Sequence, residues 1–224
     1  GIVFAPPVAG TLTGLRVAVS PDLGGVLEVD AEVAALVERS AAVFEGAGAA
    51  VDTAYPSLPE ADDTFRTLRA WLFQAGFGAL LAEHPDDFKQ SLADNIRAGE
   101  HLTGADIARA YAQRSALSDR MCEFFTGHDL LVLPTSQVPP FPADQEYPTQ
   151  INGRPMETYL DWMRSCYLIT VTGCPAISVP FGRTADGLPV GVQLVAPHGA
   201  DRFLVEVAAA LEAAITQGTA RPLP

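Results

Sequence analysis

The sequence is poor in charged residues, and above all in lysine. Only 18% of the 224 residues are charged, and Lys89 is the single lysine among 14 basic residues. With 27 acidic residues the formal net charge is −13. Phosphate binding requires a clustered cationic face, which these dispersed basic residues do not provide. We therefore expect no nucleic-acid partner.

Cysteines are few, and long apolar runs are missing. Cys122, Cys166 and Cys174 are odd in number and contain no C-x-x-C pair, which favours reduced thiols over a disulfide framework. The first residues, GIVFAPP, carry no charged segment typical of a signal peptide. The longest near-apolar stretch, residues 73–82, is about half of what spans a bilayer, and no polybasic run suggests a membrane surface. We expect a cytoplasmic chain with no membrane partner.

Several common catalytic and metal-binding patterns are also missing. There is no Gly-x-Ser-x-Gly segment, which a serine hydrolase of the nucleophile-elbow type would need. No histidine pair has zinc-ligand spacing, and no acidic stretch has calcium-loop spacing, so no metal and no cofactor are expected. Lys89 follows Asp86 and Asp87, whose charges oppose the depressed pKa that a catalytic lysine needs. We interpret Lys89 as a solvated salt-bridge partner.

Cys174 is the one residue that invites a nucleophilic interpretation. An acyl-transfer cysteine commonly uses the next backbone N–H to hold the oxyanion, and Pro175 has none. No nearby histidine stands out as its base. We expect Cys174, like Cys166, to be a packed thiol. A cysteine hydrolase acting through Cys174 is kept as an alternative.

The N-terminal third predicts a βαβ unit. Residues 15–19 form a short apolar run, and residues 49–52 form a second. Between them, apolar residues recur at helical spacing over residues 30–46, and glycines end the pattern. Two strands joined by one helix within so short a span imply a parallel pair covered by that helix.

In the rest of the chain, predicted helices and strands also follow one another. A helix-opening box is expected at Ser57 and Glu60, and a second at Thr103 and Asp106. A proline-rich loop is expected over residues 134–150. Further helices are predicted over residues 57–81, 86–98, 103–125, 155–171 and 201–216, and further strands over 129–133, 176–179 and 190–195. The predicted fold class is α/β, with a mixed β-sheet flanked by helices.

Two consecutive segments carry a family resemblance. TGCPAISVPFG at 172–182 and GLPVGVQLV at 187–195 resemble the C-terminal part of the amidase signature family. In that family a Gly-x-Pro-Ala-Ile-Ser-Val-Pro strand leads into a Gly-Leu-Pro-x-Gly-x-Gln strand and a final helix. The predicted βαβ unit, the segment DLLVLPT at 129–135 and the closing Arg221-Pro222 agree in order. The resemblance covers almost the whole chain.

The resemblance implies an amide hydrolase with a Ser–cis-Ser–Lys triad. In such enzymes the lysine, through the bridging serine, deprotonates the serine that attacks the amide carbonyl. The family carries this triad in its N-terminal half, within a Gly/Ser-rich stretch. This chain has no such stretch, and Lys89 has no comparable strand context. We therefore assign no catalytic residue and interpret residues 1–224 as the C-terminal portion of a single amidase domain. The expected partner is the N-terminal half.

The resemblance also suggests where a substrate would bind. Residues after a strand's carboxyl end are usual ligand contacts in α/β proteins, and the helix before Gly173 lines the acyl or leaving-group pocket in the resembling enzymes. The expected substrate-binding residues are Thr135, Ser136, Trp162, Met163, Cys166 and Thr170. Alternatively, the helix residues form a core-facing stripe.

The residue types in this stretch indicate the kind of amide. Met163 and Thr170 stand where relatives that act on glutamine keep acidic and polar contacts, which favours an apolar or aromatic amide. Trp71, Phe73 and Phe77 are candidates for the opposite wall, although a helix core explains them equally well.

The expected function is carboxamide hydrolysis to a carboxylate plus ammonia or an amine. The chain would contribute the substrate pocket for a small-molecule amide and would be inactive without the triad-bearing half. The alternative is a degenerate, non-catalytic amidase-like module that binds amides or pairs with a subunit. Homodimer formation is left open. The low charge content agrees with a chain that buries part of its surface against another segment.

Overall fold

The structure, a computed structural model, describes residues 10–218. The opening GIVFAPP and the Arg221-Pro222 match lie outside the described residues. The strands are β1 (Arg16–Val19), β2 (Ala50–Asp52), β3 (Leu130–Pro134), β4 (Gln150–Ile151), β5 (Arg154–Pro155), β6 (Ala176–Arg183) and β7 (Pro189–Val195). The helices are α1 (Ala31–Gly46), α2 (Ala61–Glu83), α3 (Gln90–Arg97), α4 (Gly104–Gly127), α5 (Arg164–Thr170) and α6 (Asp201–Gly218).

Five strands form one mixed sheet in the order β2-β1-β3-β7-β6. β1 is parallel to both β2 and β3, as the βαβ pattern predicts. β7 is antiparallel to β3 and to β6, with which it forms a hairpin. The predicted α/β fold with a mixed sheet is confirmed. β3 and β1 therefore end at the same edge of the sheet, where β7 begins.

Helices cover the two faces of the sheet. Alternate residues of β1 and β3 point to opposite faces, so that Val17 and Leu130 belong to one buried cluster and Leu131 to the other. The first cluster is closed by α1 and α6, the second mainly by α4 and α5. In the described part of the chain no helix combines the length and apolar character needed to cross a bilayer.

The two predicted capping boxes have different outcomes. At α4 the Thr103 hydroxyl accepts from the Asp106 backbone N–H, and the Asp106 carboxylate accepts from the Thr103 backbone N–H at 2.9 Å. The Thr103 hydroxyl also donates to that carboxylate at 2.6 Å, and this hydrogen bond, with those from the Thr103 backbone N–H and from Arg109, lowers the pKa of Asp106 to about 2. At α2 the expected box is wrong, because Glu60 makes no capping bond and instead pairs with Arg120 of α4.

Replacing Thr103 by alanine tests the α4 cap. We expect the free energy of unfolding to fall by about 1 kcal/mol, because the helix loses a side-chain acceptor for its first N–H groups. Ser115→Ala is the matched control, since its exposed hydroxyl only bonds back to Tyr111 in the same helix. Urea unfolding of both variants measures the difference, and equal stability would contradict the capping role.

The helix predicted over residues 155–171 is wrong in its first half. Residues 150–155 form the β4–β5 hairpin, whose turn places Asn152 and Gly153 at φ 49° and 79°. An Asn-Gly pair favours this left-handed turn. After it the chain forms a short 3₁₀ turn, Asp161–Met163, before α5 begins at Arg164. The helix next to the sheet is therefore only two turns long.

Candidate functional site

A groove of about 350 Å³ lies at the carboxyl end of β3. We call it the Thr135 groove. The proline-rich loop, the 3₁₀ turn before α5 and the hairpin strands β6 and β7 enclose it. Its lining residues are Thr135, Ser136, Val138, Pro139, Pro140, Phe141, Trp162, Ser178, Pro189, Val190 and Gly191. The volume suits a small molecule.

Two hydroxyl groups form the polar floor of the groove. Thr135 Oγ1 lies 2.9 Å from Ser178 Oγ, which links the end of β3 to β6. Gly191 of β7 lies against this pair: a Cβ atom there would be 2.7 Å from Ser178 Oγ and 3.3 Å from the Val179 carbonyl oxygen. Only glycine leaves room at this position for both hydroxyls.

The first turn of α5 holds the end of β3 in place. The Thr135 carbonyl oxygen accepts from Ser165 Oγ at 3.1 Å and from Cys166 Sγ at 3.0 Å. Gln193 of β7 donates to the Ser165 carbonyl oxygen at 3.1 Å. Burial raises the pKa of the Cys166 thiol, so that Cys166 stays protonated as a donor. Its part in this geometry is to position Thr135.

Aromatic rings form the wall opposite the hydroxyls. Trp162 meets Phe141 edge to face at 5.3 Å between ring centroids, and Tyr159 at 6.1 Å. The Trp162 indole N–H is buried and has no acceptor among the described residues. Prolines flank Phe141 in the loop, and their fixed φ angles limit the freedom of this wall. The groove thus offers a ring-shaped apolar face beside a hydroxyl floor.

Only some of the six predicted binding residues lie at the groove. Thr135, Ser136 and Trp162 line the groove, and Cys166 lies directly beneath it. Thr170 is exposed, one turn after Cys166, and donates to the Cys166 carbonyl oxygen at 3.0 Å. Met163 instead packs against the core beneath the sheet. Whether these residues bind substrate stays a prediction.

Sequence reasoning missed Ser178, Gly191 and Phe141. A signal for Ser178 was available, because strand residues alternate between faces. Along β6, Val179 is buried against α6, whereas Ala176, Ser178 and Pro180 on the other face are exposed. No pattern in the sequence placed Gly191 or Phe141 beside them, since both approach through the tertiary fold.

The groove contains alcohols but no group that could activate them. None of its lining residues is His, Lys, Asp or Glu. A serine or threonine hydroxyl is a weak nucleophile without a nearby base. The arrangement can bind and orient a ligand, whereas proton transfer and nucleophilic attack require groups from elsewhere.

A network of charged and aromatic side chains connects α5 to α2. Tyr167 is 1% exposed, stacks on Phe65 at 4.3 Å and donates a hydrogen bond to Asp62. Arg66 joins Asp62 at 3.0 Å to Asp161 at 2.7 Å. Burial and the neighbouring Asp62 carboxylate raise the pKa of Tyr167 well above its ordinary value. The network ties α2 to the segment that carries Trp162.

One prediction about the cysteines needs correction. His198 lies 3.8 Å from Cys174 Sγ, so a histidine does stand beside this thiol. It follows β7, 24 residues away in sequence, which is why local patterns did not indicate it. Burial raises the pKa of the Cys174 thiol, and Pro175 still provides no N–H for an oxyanion.

The other candidates lie away from the groove. Lys89 is exposed just before α3 and makes no ion pair within residues 10–218, so the predicted salt bridge is not formed. Trp71 contacts Tyr111, and Phe73 packs against the cluster between α2 and α3. Phe77 contacts Phe73 and is 44% exposed. Within residues 10–218 no three His, Cys, Asp or Glu side chains are grouped to hold a metal.

Comparison with known proteins gives consistent matches. The family model described as Amidase matches residues 3–205. An acylamidase of Rhodococcus erythropolis is 36% identical over 211 residues, covering 91% of this chain and 43% of that protein. The 6-aminohexanoate-cyclic-dimer hydrolase of Paenarthrobacter ureafaciens is 28% identical, covering 88% and 43%.

A solved structure extends the match to the fold. The crystal structure of a bacterial aryl acylamidase of the amidase signature enzymes superimposes with a TM-score of 0.80 at 28% identity. The match covers 95% of this chain and 47% of that one. The chain therefore spans less than half the length of each of these relatives.

Proposed function

This chain belongs to the amidase family, and we propose that it supplies the substrate groove of an enzyme that hydrolyses a carboxamide to a carboxylate and ammonia or an amine. The observation that carries the proposal is the Thr135 groove itself. It pairs an apolar, aromatic wall with hydroxyl groups, and its lining includes no base or cation. Such a site binds a neutral amide and relies on another segment for the nucleophile.

We propose an aromatic or apolar amide as the substrate. Trp162 and Phe141 present ring surfaces, and an aromatic ring against them gains roughly 0.5–1.5 kcal/mol beyond its area burial. Glutamine would leave a charged ammonium and carboxylate beside these rings without partners. The relatives named acylamidase and aryl acylamidase support this choice.

The catalytic partner is proposed to be the N-terminal half of the same enzyme. Among the described strands β6 pairs only with β7, so one edge of this eight-residue strand is open. An open edge presents free N–H and C=O groups to a further strand. Ser178 of the groove lies on β6 and is exposed. A segment docked along this edge would meet the groove there.

The proposed division of labour follows from what each part holds. The N-terminal half would bring the Ser–cis-Ser–Lys triad, and its serine would attack the amide carbonyl. The groove would hold the apolar part of the amide and fix its orientation, which contributes to rate by placing the carbonyl for attack. The chain without that half is expected to hydrolyse no amide.

Assay of the full-length protein with a chromogenic anilide tests this function. We expect hydrolysis of 4-nitroacetanilide and, for Trp162→Ala, a KM about tenfold higher, because losing the ring contact costs roughly 1.4 kcal/mol. Trp71→Ala, which removes a ring that contacts Tyr111 instead, should leave KM unchanged. Faster turnover of glutamine than of anilides would contradict the substrate class. A folded protein with no amide hydrolysis would favour the degenerate module.

A further inference from the structure

Two cysteine side chains from different parts of the chain meet at His198, away from the Thr135 groove. Its Nδ1 atom lies 3.9 Å from Cys122 Sγ on α4 and 3.8 Å from Cys174 Sγ in the turn before β6. We call these three residues the dithiol cluster. We propose that the dithiol cluster is an oxidation site, at which a peroxide converts Cys122 and Cys174 into an intramolecular disulfide.

The hydrogen bonds of His198 determine which ring nitrogen can act as a base. Its Nε2 atom lies 2.8 Å from the Thr172 carbonyl oxygen, which can only accept, so Nε2 carries the proton. In the neutral ring Nδ1 then holds the free lone pair. Cys122 Sγ lies 3.9 Å from Nδ1, and Cys174 Sγ lies 3.8 Å from both ring nitrogens, so Nδ1 is within reach of both thiols. A single base is therefore shared by two thiols.

The environments of the two thiols assign their roles. Cys122 is exposed and reachable by a small oxidant, whereas Cys174 is buried. Burial, and to a lesser extent Cys122, raises the pKa of the Cys174 thiol. Because the thiolate is the nucleophile, the accessible Cys122 reacts first and Cys174 follows. The third cysteine, Cys166, donates to the Thr135 carbonyl oxygen instead.

The position of Cys174 depends on an unusual turn. Gly173 adopts φ +80°, and a Cβ there would lie 3.5 Å from His198 Nε2 and 3.9 Å from an Arg114 nitrogen. Ser118 Oγ lies 3.5 Å from the same ring nitrogen. The turn thus folds the chain onto the imidazole and α4, and Cys122 lies one turn beyond Ser118 on that helix.

The chemistry is balanced with a peroxide as the only oxidant. His198 Nδ1 accepts the Cys122 proton, and the thiolate attacks one peroxide oxygen. The O–O bond breaks, giving a sulfenic acid and a hydroxide, which takes the proton back from His198 Nδ1 and leaves as the first water. The Cys174 sulfur then attacks the Cys122 sulfur, the S–O bond breaks, and the departing hydroxide leaves as a second water with the Cys174 proton. Two thiols and one hydrogen peroxide yield one disulfide and two waters.

Peptide mapping of the full-length protein tests the proposal. After reduction, treatment with equimolar hydrogen peroxide and alkylation, trypsin releases residues 121–164, with Cys122, and 165–183, with Cys166 and Cys174. We expect these peptides to be joined with a loss of two hydrogens, and tandem fragmentation to place the bond on Cys174. Without peroxide, iodoacetamide should modify Cys122 at least about tenfold faster than Cys166 or Cys174.

Three variants test the roles assigned to Cys174, His198 and Cys166. Cys174→Ala should leave Cys122 to overoxidise to the sulfinic acid, and His198→Gln should slow Cys122 alkylation by about tenfold. Cys166→Ser should leave the disulfide unchanged. A bond between Cys166 and Cys174, or sulfinic acid on Cys122 with no cross-link in the unmodified protein, would overturn the proposal. Those results need no variant, so a misfolded substitution cannot hide them.

Discussion

Replacing Gly191 by valine is expected to lower kcat/KM of the full-length enzyme by at least about 100-fold. A Cβ atom at this position falls 2.7 Å from Ser178 Oγ and 3.4 Å from Thr135 Oγ1, and the valine methyl groups add further bulk. The hydroxyl pair must separate, and the floor of the groove rises toward the substrate. Displacing a bound carbonyl by about 1 Å is enough to cost a factor of this size.

A paired substitution separates a local clash from general damage. Gly191→Ala should lower kcat/KM less than Gly191→Val does. The double variant Gly191→Ala/Ser178→Ala should recover part of the activity lost in Gly191→Ala, because the crowded hydroxyl is then gone. Gly127→Ala is the matched control, since a Cβ there contacts nothing within 4 Å. Steady-state kinetics on the anilide measure all four variants. Activity in Gly191→Val close to that of the unmodified enzyme would show that the groove is not used.

Replacing Arg66 by methionine is expected to lower the free energy of unfolding by about 2 kcal/mol. Among the described residues Arg66 is the only cation that bonds Asp161, and methionine fills similar space without charge. Breaking a fully buried ion pair costs about 3–5 kcal/mol. Because 33% of the Arg66 side chain is exposed, solvent compensates part of this cost. KM should also rise, since the network supports the turn that carries Trp162.

The free energy of unfolding that is lost in the Arg66→Met variant depends on pH. Burial acts to raise the pKa of Asp161, but hydrogen bonds from the Thr158 backbone and from Arg66 hold it below its ordinary value. A depressed pKa stabilises the folded state above the unfolded pKa, roughly 4, and the stabilisation disappears as pH falls further. The loss of unfolding free energy in Arg66→Met should therefore be complete at pH 7 and become smaller below about pH 4.

Urea unfolding of the full-length protein at pH 7 and pH 3.5 measures this effect. Arg202→Met is the matched control: its pair with Glu206 is an exposed i, i+4 pair, expected to contribute less than about 0.5 kcal/mol. Equal losses for Arg66→Met and Arg202→Met, or an Arg66→Met deficit that grows toward low pH, would contradict the supporting role of the network.

The sheet and most helices could be predicted because their apolar residues repeat with the right period. β3 is buried at all five positions, and its sequence is an unbroken apolar run. α4 begins at a capping box and ends at glycine, both visible in the sequence. Local propensity and tertiary packing agree in these elements, and sequence patterns are reliable where they do.

The misplaced helix before α5 shows where local patterns fail. Tyr159 and Met163 recur at helical spacing, yet the Asn152-Gly153 turn pairs β4 with β5, and only Arg164–Thr170 becomes α-helix. Of the pocket residues predicted on this segment, Trp162 lies in the 3₁₀ turn and lines the groove, whereas Cys166 and Thr170 lie one turn apart on α5. Met163, the neighbour of Trp162, packs against the core instead.

Contacts between distant segments could not be predicted at all. Ser178 and Thr135 are 43 residues apart, and Cys122 and His198 are 76 apart. Neither spacing has a periodic signal, because the sheet order and the turn at Gly173 create both contacts. The family resemblance pointed to Thr135, Ser136 and Trp162, which line the groove, without indicating which side chains face one another.

We propose that this chain holds the substrate while another segment supplies the nucleophile. Rapid quenching of the full-length enzyme during anilide hydrolysis, followed by peptide mass spectrometry, locates the acyl group on the protein. We expect an acyl-serine outside residues 1–224 and unmodified Thr135, Ser136 and Ser178. An acyl group on any of these hydroxyls, or on Cys174, would contradict it.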